Sequence, residues 1–366
     1  MHALKRFGTA FGGYKMMENY PVPECGPDDI ILEIKAAAIC GADMKHWGVD
    51  NGYDDTNITP DQQQSVRGHE FAGEIVKVGE NVKDWHIGQR VVSDNSAHVC
   101  GVCPACEQGD FLCCEHKVNL GLDNNTWGGG FSKYCKVPGE ILAIHKHAIW
   151  EIPEGIKYEE ACVLDPICNA YKAVAQQSHL IPGQDVVVFG TGPLGLFSVQ
   201  IAKLMGAVNI VMVGLDDDVE VRFPVAMELG ATHCVNGSKE DVVARCTEIC
   251  GRDNLGLVIE CSGANIALKQ AIEMTRPNAE IVRVGMGFKP LEFSINDITA
   301  WNKSIIGHMA YDSTSWRNCI RLLQSGQIKV QPMITHRLGL SQWQEGFDKM
   351  AKKEAIKVIF HYDYED

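Results

Sequence analysis

The chain has 366 residues, 45% of them hydrophobic, which is enough for a large buried core and a length typical of about two domains. Lys and Arg total 33 against 47 Asp and Glu, and the formal net charge of −14 excludes a general affinity for nucleic acid or an anionic membrane. The start, Met1 to Arg6, shows no secretory signal pattern, and no stretch reaches the ~18 apolar residues of a membrane span. We therefore expect a cytoplasmic protein.

Two patterns follow each other along the chain. Up to about 166, short apolar runs separated by Gly and Pro predict β-strands, for example at 30–35 and 71–78. Beyond 167, strands alternate with helices, which is typical of a parallel sheet with right-handed crossovers. The strands predicted there are 186–189, 210–213, 257–260 and 281–284, and the helices are 167–177, 194–205, 224–229 and 264–275. The tail predicts a helix at 343–352 and a strand at 358–362.

Two early positions carry metal-ligand residue types. Cys40 follows an apolar run, and His69 and Glu70 follow a glycine. Each signal is weak alone, because a lone Cys after such a run is usually a core residue and a His beside a Glu is usually a structural pair.

A cysteine-rich loop is the strongest local signal. Its four cysteines have the spacing Cys-x2-Cys-x2-Cys-x7-Cys, punctuated by Gly and Pro, and are Cys100, Cys103, Cys106 and Cys114. An odd total of 15 cysteines without a signal peptide favours metal over disulfides, and zinc is the usual occupant of a site with four thiolates. Cys113 leaves the fourth ligand ambiguous, and unligated thiols or an iron–sulfur cluster are the alternatives. We predict a structural zinc that is closed to substrate.

A glycine turn follows the predicted strand at 186–189. The motif Gly-x-Gly-x-x-Gly is weak by itself, but here it lies between a strand and a helix, where a pyrophosphate can approach the helix N-terminus. The predicted dinucleotide-binding residues are Gly190, Gly192, Pro193, Leu194 and Gly195.

Together, Cys40-Gly41-x-Asp43, Gly68-His69-Glu70, the cysteine loop and the glycine turn resemble the zinc-dependent medium-chain dehydrogenases over essentially the whole chain. Leu164-Asp165-Pro166 resembles the sorbitol, erythritol/threitol and threonine dehydrogenase branches. The resemblance implies an α/β protein in which a GroES-like, β-rich catalytic domain (1–166 and 309–366) encloses a Rossmann domain with a doubly wound parallel sheet (167–308). It also implies a substrate site in the cleft between the domains and a homo-oligomer, either a dimer or a tetramer.

The resemblance further implies a catalytic zinc on Cys40, His69 and Glu70, with Asp165 as a fourth ligand or an acid that holds water. Asp43 would hydrogen-bond His69. The chain departs from many relatives in having Ala42 and Lys45 where they carry a hydroxyl and a histidine that relay a proton. The proton would then leave through water, aided by Lys45, His46 or Glu70, unless Lys45 and His46 are ordinary loop residues.

At the adenosine end, the family carries an acid where this chain has Gly214. Asp216, Asp217 and Asp218 follow, and Arg222 matches an arginine that the family uses nearby. Three carboxylates favour NAD by repelling a 2′-phosphate, while Gly214 with Arg222 leaves NADP open, and the alternative is a solvated acidic turn. The contacts implied for the nicotinamide half are Cys261, Ser262, Val284, Gly285, Met286, His308 and Met309.

The expected reaction is hydride transfer between a secondary alcohol and NAD, with zinc polarising the hydroxyl. The charged groups implied at the site favour a polyol or sugar-derived alcohol as the substrate. The alternatives are a threonine-like amino alcohol, suggested by Asp165-Pro166-x-x-Asn169-Ala170, and a non-catalytic NAD-binding sensor or structural relative, suggested by Ala42. A zinc-free quinone reductase is disfavoured because both sets of ligands are present.

Overall fold

The computed structural model describes residues 1–6, 13–44, 47, 65–123, 126–287, 289–291 and 293–365. The chain divides into two compact units. The first unit consists of Met1–Asp165 and Ile334–Asp366, and the second unit is Pro166–Met333.

The strands, in chain order, are β1 (Ala3–Arg6), β2 (Tyr14–Met17), β3 (Ile30–Ala38), β4 (Glu70–Val78), β5 (Arg90–Ser93), β6 (Ser96–His98), β7 (Val118–Asn119), β8 (Tyr134–Val137), β9 (Ile149–Glu151), β10 (Asp185–Phe189), β11 (Ile210–Gly214), β12 (His233–Asn236), β13 (Leu255–Glu260), β14 (Glu280–Arg283), β15 (Ser304–Gly307), β16 (Ile334–Gly339) and β17 (Lys357–His361). The α-helices are α1 (Gly41–Met44), α2 (Pro104–Glu107), α3 (Gly139–Ile144), α4 (Tyr158–Ala161), α5 (Leu164–Tyr171), α6 (Pro193–Leu204), α7 (Arg222–Leu229), α8 (Val242–Cys250), α9 (Asn265–Met274), α10 (Asn296–Thr299), α11 (Ser313–Gln324) and α12 (Trp343–Ala351). A π-helical segment, Lys172–Gln177, continues α5, and 3-10 turns occupy Phe111–Cys113, Asp216–Asp218, Arg252–Asn254, Gln331–Met333 and Leu340–Gln342.

The first unit is built on a mixed sheet with the strand order β16-β17-β3-β4-β5-β9, and β8 pairs with β3. Its pairings are antiparallel except β16 with β17. Large apolar side chains from distant parts of the sequence fill its core; Phe71, Phe131 and Phe347 are fully buried, and Phe360 is nearly so. The C-terminal segment therefore completes this core through α12 and β17, which correspond to the predicted tail helix and strand.

The second unit is a wholly parallel sheet in the order β12-β11-β10-β13-β14-β15. Every residue of β10 and β13 is buried, which is the reason that these strands are nearly continuous apolar runs. The expected GroES-like and Rossmann-type α/β fold is confirmed. In such a sheet, ligands bind beyond the carboxyl ends of the strands, and β10, β11, β13 and β14 end at the predicted cofactor residues.

The boundary predicted at 308/309 differs from the structure, in which 309–333 belong to the second unit. Hydrogen bonds hold this segment there. The Asn318 amide donates to the Tyr171 hydroxyl at 2.9 Å, and the Gln200 side chain bonds both the backbone N–H and the carbonyl of Lys329. Sequence patterns miss such long-range contacts, and α11 alone reads as an ordinary amphipathic helix.

No helix in the described part of the chain is both long and apolar enough to cross a membrane.

Candidate active site and metal centres

A group of three metal-ligand side chains lies at one end of the pairing between β3 and β4. In that pairing Ala38 lies opposite Glu70, so Cys40, just beyond β3, comes close to His69 and Glu70 at the start of β4. One donor atom from each of the three residues lies within 4.8 Å of the others. Glu70 is the first residue of β4, and His69 immediately precedes it.

The donor set fits a metal ion with an exchangeable position. A thiolate, an imidazole and a carboxylate are ligands of catalytic zinc, which typically keeps its fourth position for water or substrate. Burial raises the pKa of the Cys40 thiol and raises the pKa of Glu70 well above its ordinary value. Burial thus disfavours the ionised forms of both side chains, and a bound zinc ion would favour those forms.

Lys357, at the start of β17, is a site residue that the sequence analysis missed. Its side chain is buried, its Nζ lies 2.5 Å from Oε2 of Glu70, and it donates a hydrogen bond to the Ile39 carbonyl at 3.1 Å. Burial is the largest single effect and would lower the pKa of Lys357, but the negative charges of Glu70, Cys40 and Cys162 and the hydrogen bond to Glu70 together outweigh it, and the pKa is raised. A lysine in a strand gives no sequence signal for such a pairing.

Asp43 lies under the same site and is fully buried. One carboxylate oxygen accepts a hydrogen bond from the Cys40 N–H at 3.0 Å, and the other lies 3.9 Å from Nδ1 of His69. The hydrogen bond expected between Asp43 and His69 is therefore a longer electrostatic contact here, since 3.9 Å exceeds hydrogen-bond distance. The same oxygen lies 3.8 Å from Nε of Arg67, a buried cation that the sequence analysis also missed.

Three further residues were predicted to be catalytic, namely Asp165, Lys45 and His46. Among the described residues, the group of donors within 4.8 Å does not extend to Asp165. Its carboxylate accepts a hydrogen bond from the Asn95 amide at 3.2 Å, and its charge contributes to the raised pKa of Cys40. Lys45 and His46 lie outside the described residues.

The cysteine loop brings four sulfurs together. The Sγ atoms of Cys100, Cys103, Cys106 and Cys114 all lie within 4.8 Å of one another, whereas Cys113 is exposed and outside the cluster. Left-handed glycines allow the tight loop, with φ of +74° at Gly101 and +79° at Gly109. Backbone N–H groups, first that of Val102, lower the pKa of Cys100 to about 6 and so favour a thiolate. The donor set fits a closed tetrahedral zinc site.

The glycine turn connects β10 to α6, as predicted. Gly190 has a φ of +94°, and a Cβ at Gly195 would lie 1.8 Å from the Gly190 carbonyl oxygen, so glycine is required at both positions. Gly192 caps the helix N-terminus, and a Cβ there would meet nothing within 4 Å. Pro193 and Leu194 begin the first turn of α6, and the open space at Gly192 fits a pyrophosphate at a helix N-terminus.

The acidic turn after β11 contains three carboxylates with distinct environments. Asp216 accepts a hydrogen bond from the Asn236 amide at 2.7 Å and pairs with Lys239 at 3.1 Å, and Asp217 is exposed. Asp218 is only 4% exposed and accepts a hydrogen bond from Arg222 at 3.2 Å. The sequence could not reveal this difference, because the three residues are identical.

The loops after β13 and β14 lie beside the glycine turn. Oε1 of Glu260 accepts hydrogen bonds from the Ser262 N–H at 2.7 Å, the Ser262 hydroxyl at 2.5 Å and the Gly263 N–H at 2.8 Å. A Cβ on Gly190 would lie 3.0 Å from the Ser262 nitrogen, and one on Gly285 would lie 2.1 Å from the Gly263 nitrogen. The structure therefore brings together four of the residues predicted for the nicotinamide half, namely Cys261, Ser262, Gly285 and Met286.

The other predicted cofactor contacts also lie in the second unit. Val284 is buried and Met309 is 41% exposed. The His308 ring contacts the side chains of Gln177 at 2.6 Å and Asn169 at 3.3 Å. Burial lowers the pKa of His308 to about 4, so this ring is neutral near pH 7.

In comparisons with known proteins, each of the two units matches a different domain family. The alcohol dehydrogenase GroES-like domain matches 26–147, and the zinc-binding dehydrogenase domain matches 193–325. The chain is 77% identical over 366 residues, with full coverage of both chains, to an uncharacterized zinc-type alcohol dehydrogenase-like protein, YdjL, of Escherichia coli K12. It is 29% identical to a sorbitol dehydrogenase of Halalkalibacterium halodurans, covering 98% of each chain.

A solved structure has the same fold. The 2R,3R-butanediol dehydrogenase of Bacillus subtilis superposes with a TM-score of 0.83 at 29% identity and covers 99% of each chain. With the metal-ligand group and the glycine turn in their expected places, these matches identify the chain as an oxidoreductase of the zinc-dependent medium-chain alcohol dehydrogenase family.

Proposed function

We propose that this protein is a zinc-dependent, NAD-linked dehydrogenase that oxidises a secondary alcohol of a polyol or sugar-derived substrate. The observation that carries the proposal is the convergence of Cys40, His69 and Glu70, with donor atoms within 4.8 Å of one another. This set leaves a metal position to which a substrate hydroxyl can bind. A purely structural metal site would be closed, as the cysteine loop is.

The polyol substrate class is supported by the groups around the site and by similar proteins. Asp165 and Lys357 place further polar groups close to Cys40 and Glu70, which suits a substrate with several hydroxyls. The sorbitol dehydrogenase and the butanediol dehydrogenase described above act, by their names, on substrates with more than one hydroxyl. Asp165 would hold water or a substrate hydroxyl there.

The chain's own side chains prepare this chemistry. Zinc, when bound, supplies the Lewis acid that polarises the hydroxyl, and the nicotinamide ring accepts the hydride. Asp43 accepts the Cys40 N–H and lies near Nδ1 of His69, which keeps both donors oriented. Lys357 holds the Glu70 carboxylate beside them. Glu260 fixes the loop at Ser262, next to the glycine turn that would receive the pyrophosphate.

The hydroxyl proton needs a route that does not use the missing hydroxyl relay. We infer that it leaves through water, aided by Lys45, His46 or Glu70. An unchanged pH–rate profile in Lys45→Ala would remove Lys45 from this route.

We further propose NAD rather than NADP as the cofactor, one catalytic and one structural zinc per chain, a homo-oligomer and a cytoplasmic location. The cofactor preference is supported by the acidic turn at Asp216–Asp218. The number of metal ions is supported by the two separate donor groups.

The substrate class is tested by steady-state rates of NAD reduction with erythritol, xylitol, sorbitol and L-threonine, using zinc-loaded protein. We expect higher kcat/KM on at least one polyol than on threonine. Activity on threonine alone would contradict the polyol proposal and support the amino-alcohol alternative. NAD binding without turnover of any alcohol in the panel would support the non-catalytic alternative.

A further inference from the structure

The carboxylate of Asp218 lies beside the position from which a side chain on the last residue of β11 would project. A Cβ built on Gly214, the last residue of β11, would lie 2.9 Å from Oδ2 of Asp218 and 2.7 Å from Cγ2 of Thr191. Thr191 belongs to the glycine turn. Asp218 therefore reaches, from a separate turn, the edge of the predicted dinucleotide site.

Local hydrogen bonds fix Asp218 in this place. Its Oδ2 accepts the Leu215 N–H at 2.8 Å, and its Oδ1 accepts Nη1 of Arg222 at 3.2 Å. The side chain of Asp218 is only 6% exposed, whereas that of Asp216 is 51% exposed and is drawn towards Asn236 and Lys239. The three acids are thus not equivalent, and Asp218 is the one that faces Gly214.

The pairing with Arg222 has a consequence for cofactor choice. A guanidinium is the group that best binds a phosphate, and an arginine near this strand end is the usual means of accepting the 2′-phosphate of NADP. Here the Arg222 side chain, which is 12% exposed, is held by a carboxylate in an i, i+4 pair. A 2′-phosphate at this edge would have to displace a buried carboxylate or lie beside it, and like charges in a partly desolvated site repel strongly.

We propose that Asp218, which lies beside Gly214 and pairs with Arg222, is the residue that makes this protein select NAD over NADP. The proposal rests on the dinucleotide-binding function proposed above. One buried acid then determines the cofactor selectivity, and the more exposed Asp216 and Asp217 do not.

The test measures dissociation constants of NAD⁺ and NADP⁺ by calorimetry on the full-length, zinc-loaded protein. Asp218→Asn removes the charge but keeps an oxygen that can accept the Leu215 N–H. We expect it to lower the selectivity for NAD⁺ by roughly tenfold or more, chiefly by strengthening NADP⁺ binding. Adding Arg222→Ala to this variant should abolish the gain in NADP⁺ affinity. That gain should come from the Arg222 guanidinium, which is freed when the Asp218 charge is removed.

Matched variants separate this role from net charge. Glu220→Gln removes one negative charge from an exposed position two residues away and should leave the selectivity unchanged. Asp216→Asn and Asp217→Asn should each shift it less than Asp218→Asn. Asp218→Ser, which retains a hydroxyl acceptor, serves if the Asn variant does not fold, as judged by circular dichroism.

The outcomes distinguish this inference from the proposed function. Failure of the wild type to bind either dinucleotide contradicts the proposed function itself. Normal NAD⁺ binding with unchanged selectivity in Asp218→Asn overturns the inference alone. An equal or larger shift in Asp216→Asn or Asp217→Asn, or a wild-type preference for NADP⁺, overturns it as well.

Discussion

Nζ of Lys357 lies 2.5 Å from Oε2 of Glu70, and both side chains are almost completely buried. The two residues come from β17 and β4, which lie far apart in the sequence. A buried carboxylate that is also a candidate metal ligand therefore has a cation of its own. We therefore expect this pair to couple the stability of the first unit to the charge at the metal site.

Replacing Lys357 with Met should lower stability most when no zinc is bound. Removal of one partner leaves an uncompensated buried charge, with a typical cost of about 3–5 kcal/mol. In zinc-loaded protein the metal would supply part of the missing positive charge, so the loss should be smaller. The free energy of unfolding in urea, measured with and without zinc, checks this.

Lys352→Met is the matched control, since Lys352 is exposed and its loss should change the free energy of unfolding by less than about 0.5 kcal/mol. An equal loss for Lys357→Met in both metal states would contradict the coupling.

Zinc binding by the cysteine loop should require the four clustered cysteines and not Cys113. Cys103→Ser should remove one zinc per chain and lower the melting temperature, because the closed site holds the loop in shape. Cys113→Ser should leave both unchanged, since this thiol is exposed and outside the cluster. Metal analysis with thermal unfolding measures both, and a loss of zinc in Cys113→Ser would show that the cluster is assigned wrongly.

The Glu260 carboxylate should be needed to hold the loop beside the glycine turn. Glu260→Gln retains the shape but removes a charge that accepts three hydrogen bonds, so we expect a loss of about 1–3 kcal/mol in stability and weaker NAD⁺ binding. Unfolding in urea and calorimetric titration with NAD⁺ measure the two effects. Glu273→Gln, at an exposed position in α9, is the control, and equal NAD⁺ affinity in both variants would count against this role.

His308 should make stability depend on pH below neutrality. Its folded pKa of about 4 lies below the ordinary value of 6.5, so between these values the unfolded chain binds more protons. The free energy of unfolding should therefore rise with pH from about 4 to 6.5, and below about pH 4 the full cost of burying a protonated ring lowers stability. His308→Gln should flatten this rise relative to wild type in urea unfolding measured across the window; parallel curves would exclude the contribution.

The sequence predicted the parts of the site that depend on local chemistry. The spacing of the cysteines and the glycine turn both correspond to compact structural units, and the structure has them where they were expected. The choice between Cys113 and Cys114 needed coordinates, because adjacent residues differ only in the direction of their side chains. The distinct role of Asp218 among three aspartates needed them for the same reason.

Long-range partners were beyond the reach of sequence patterns. Lys357 and Arg67 are buried cations that meet carboxylates only because distant strands pair, and a charged residue ordinarily reads as solvated. The end of the second unit was placed too early because the contacts of α11 with Tyr171 and those of Lys329 with Gln200 leave no local signal.

The most direct test of the central claim is the zinc content per chain of the wild type and of Cys40→Ser, measured together with NAD reduction by polyols. We predict two zinc ions per chain in the wild type, one in the variant, and loss of activity with the ion that is lost. One zinc ion in both proteins would mean that only the cysteine loop binds metal, and would contradict a catalytic zinc at Cys40, His69 and Glu70.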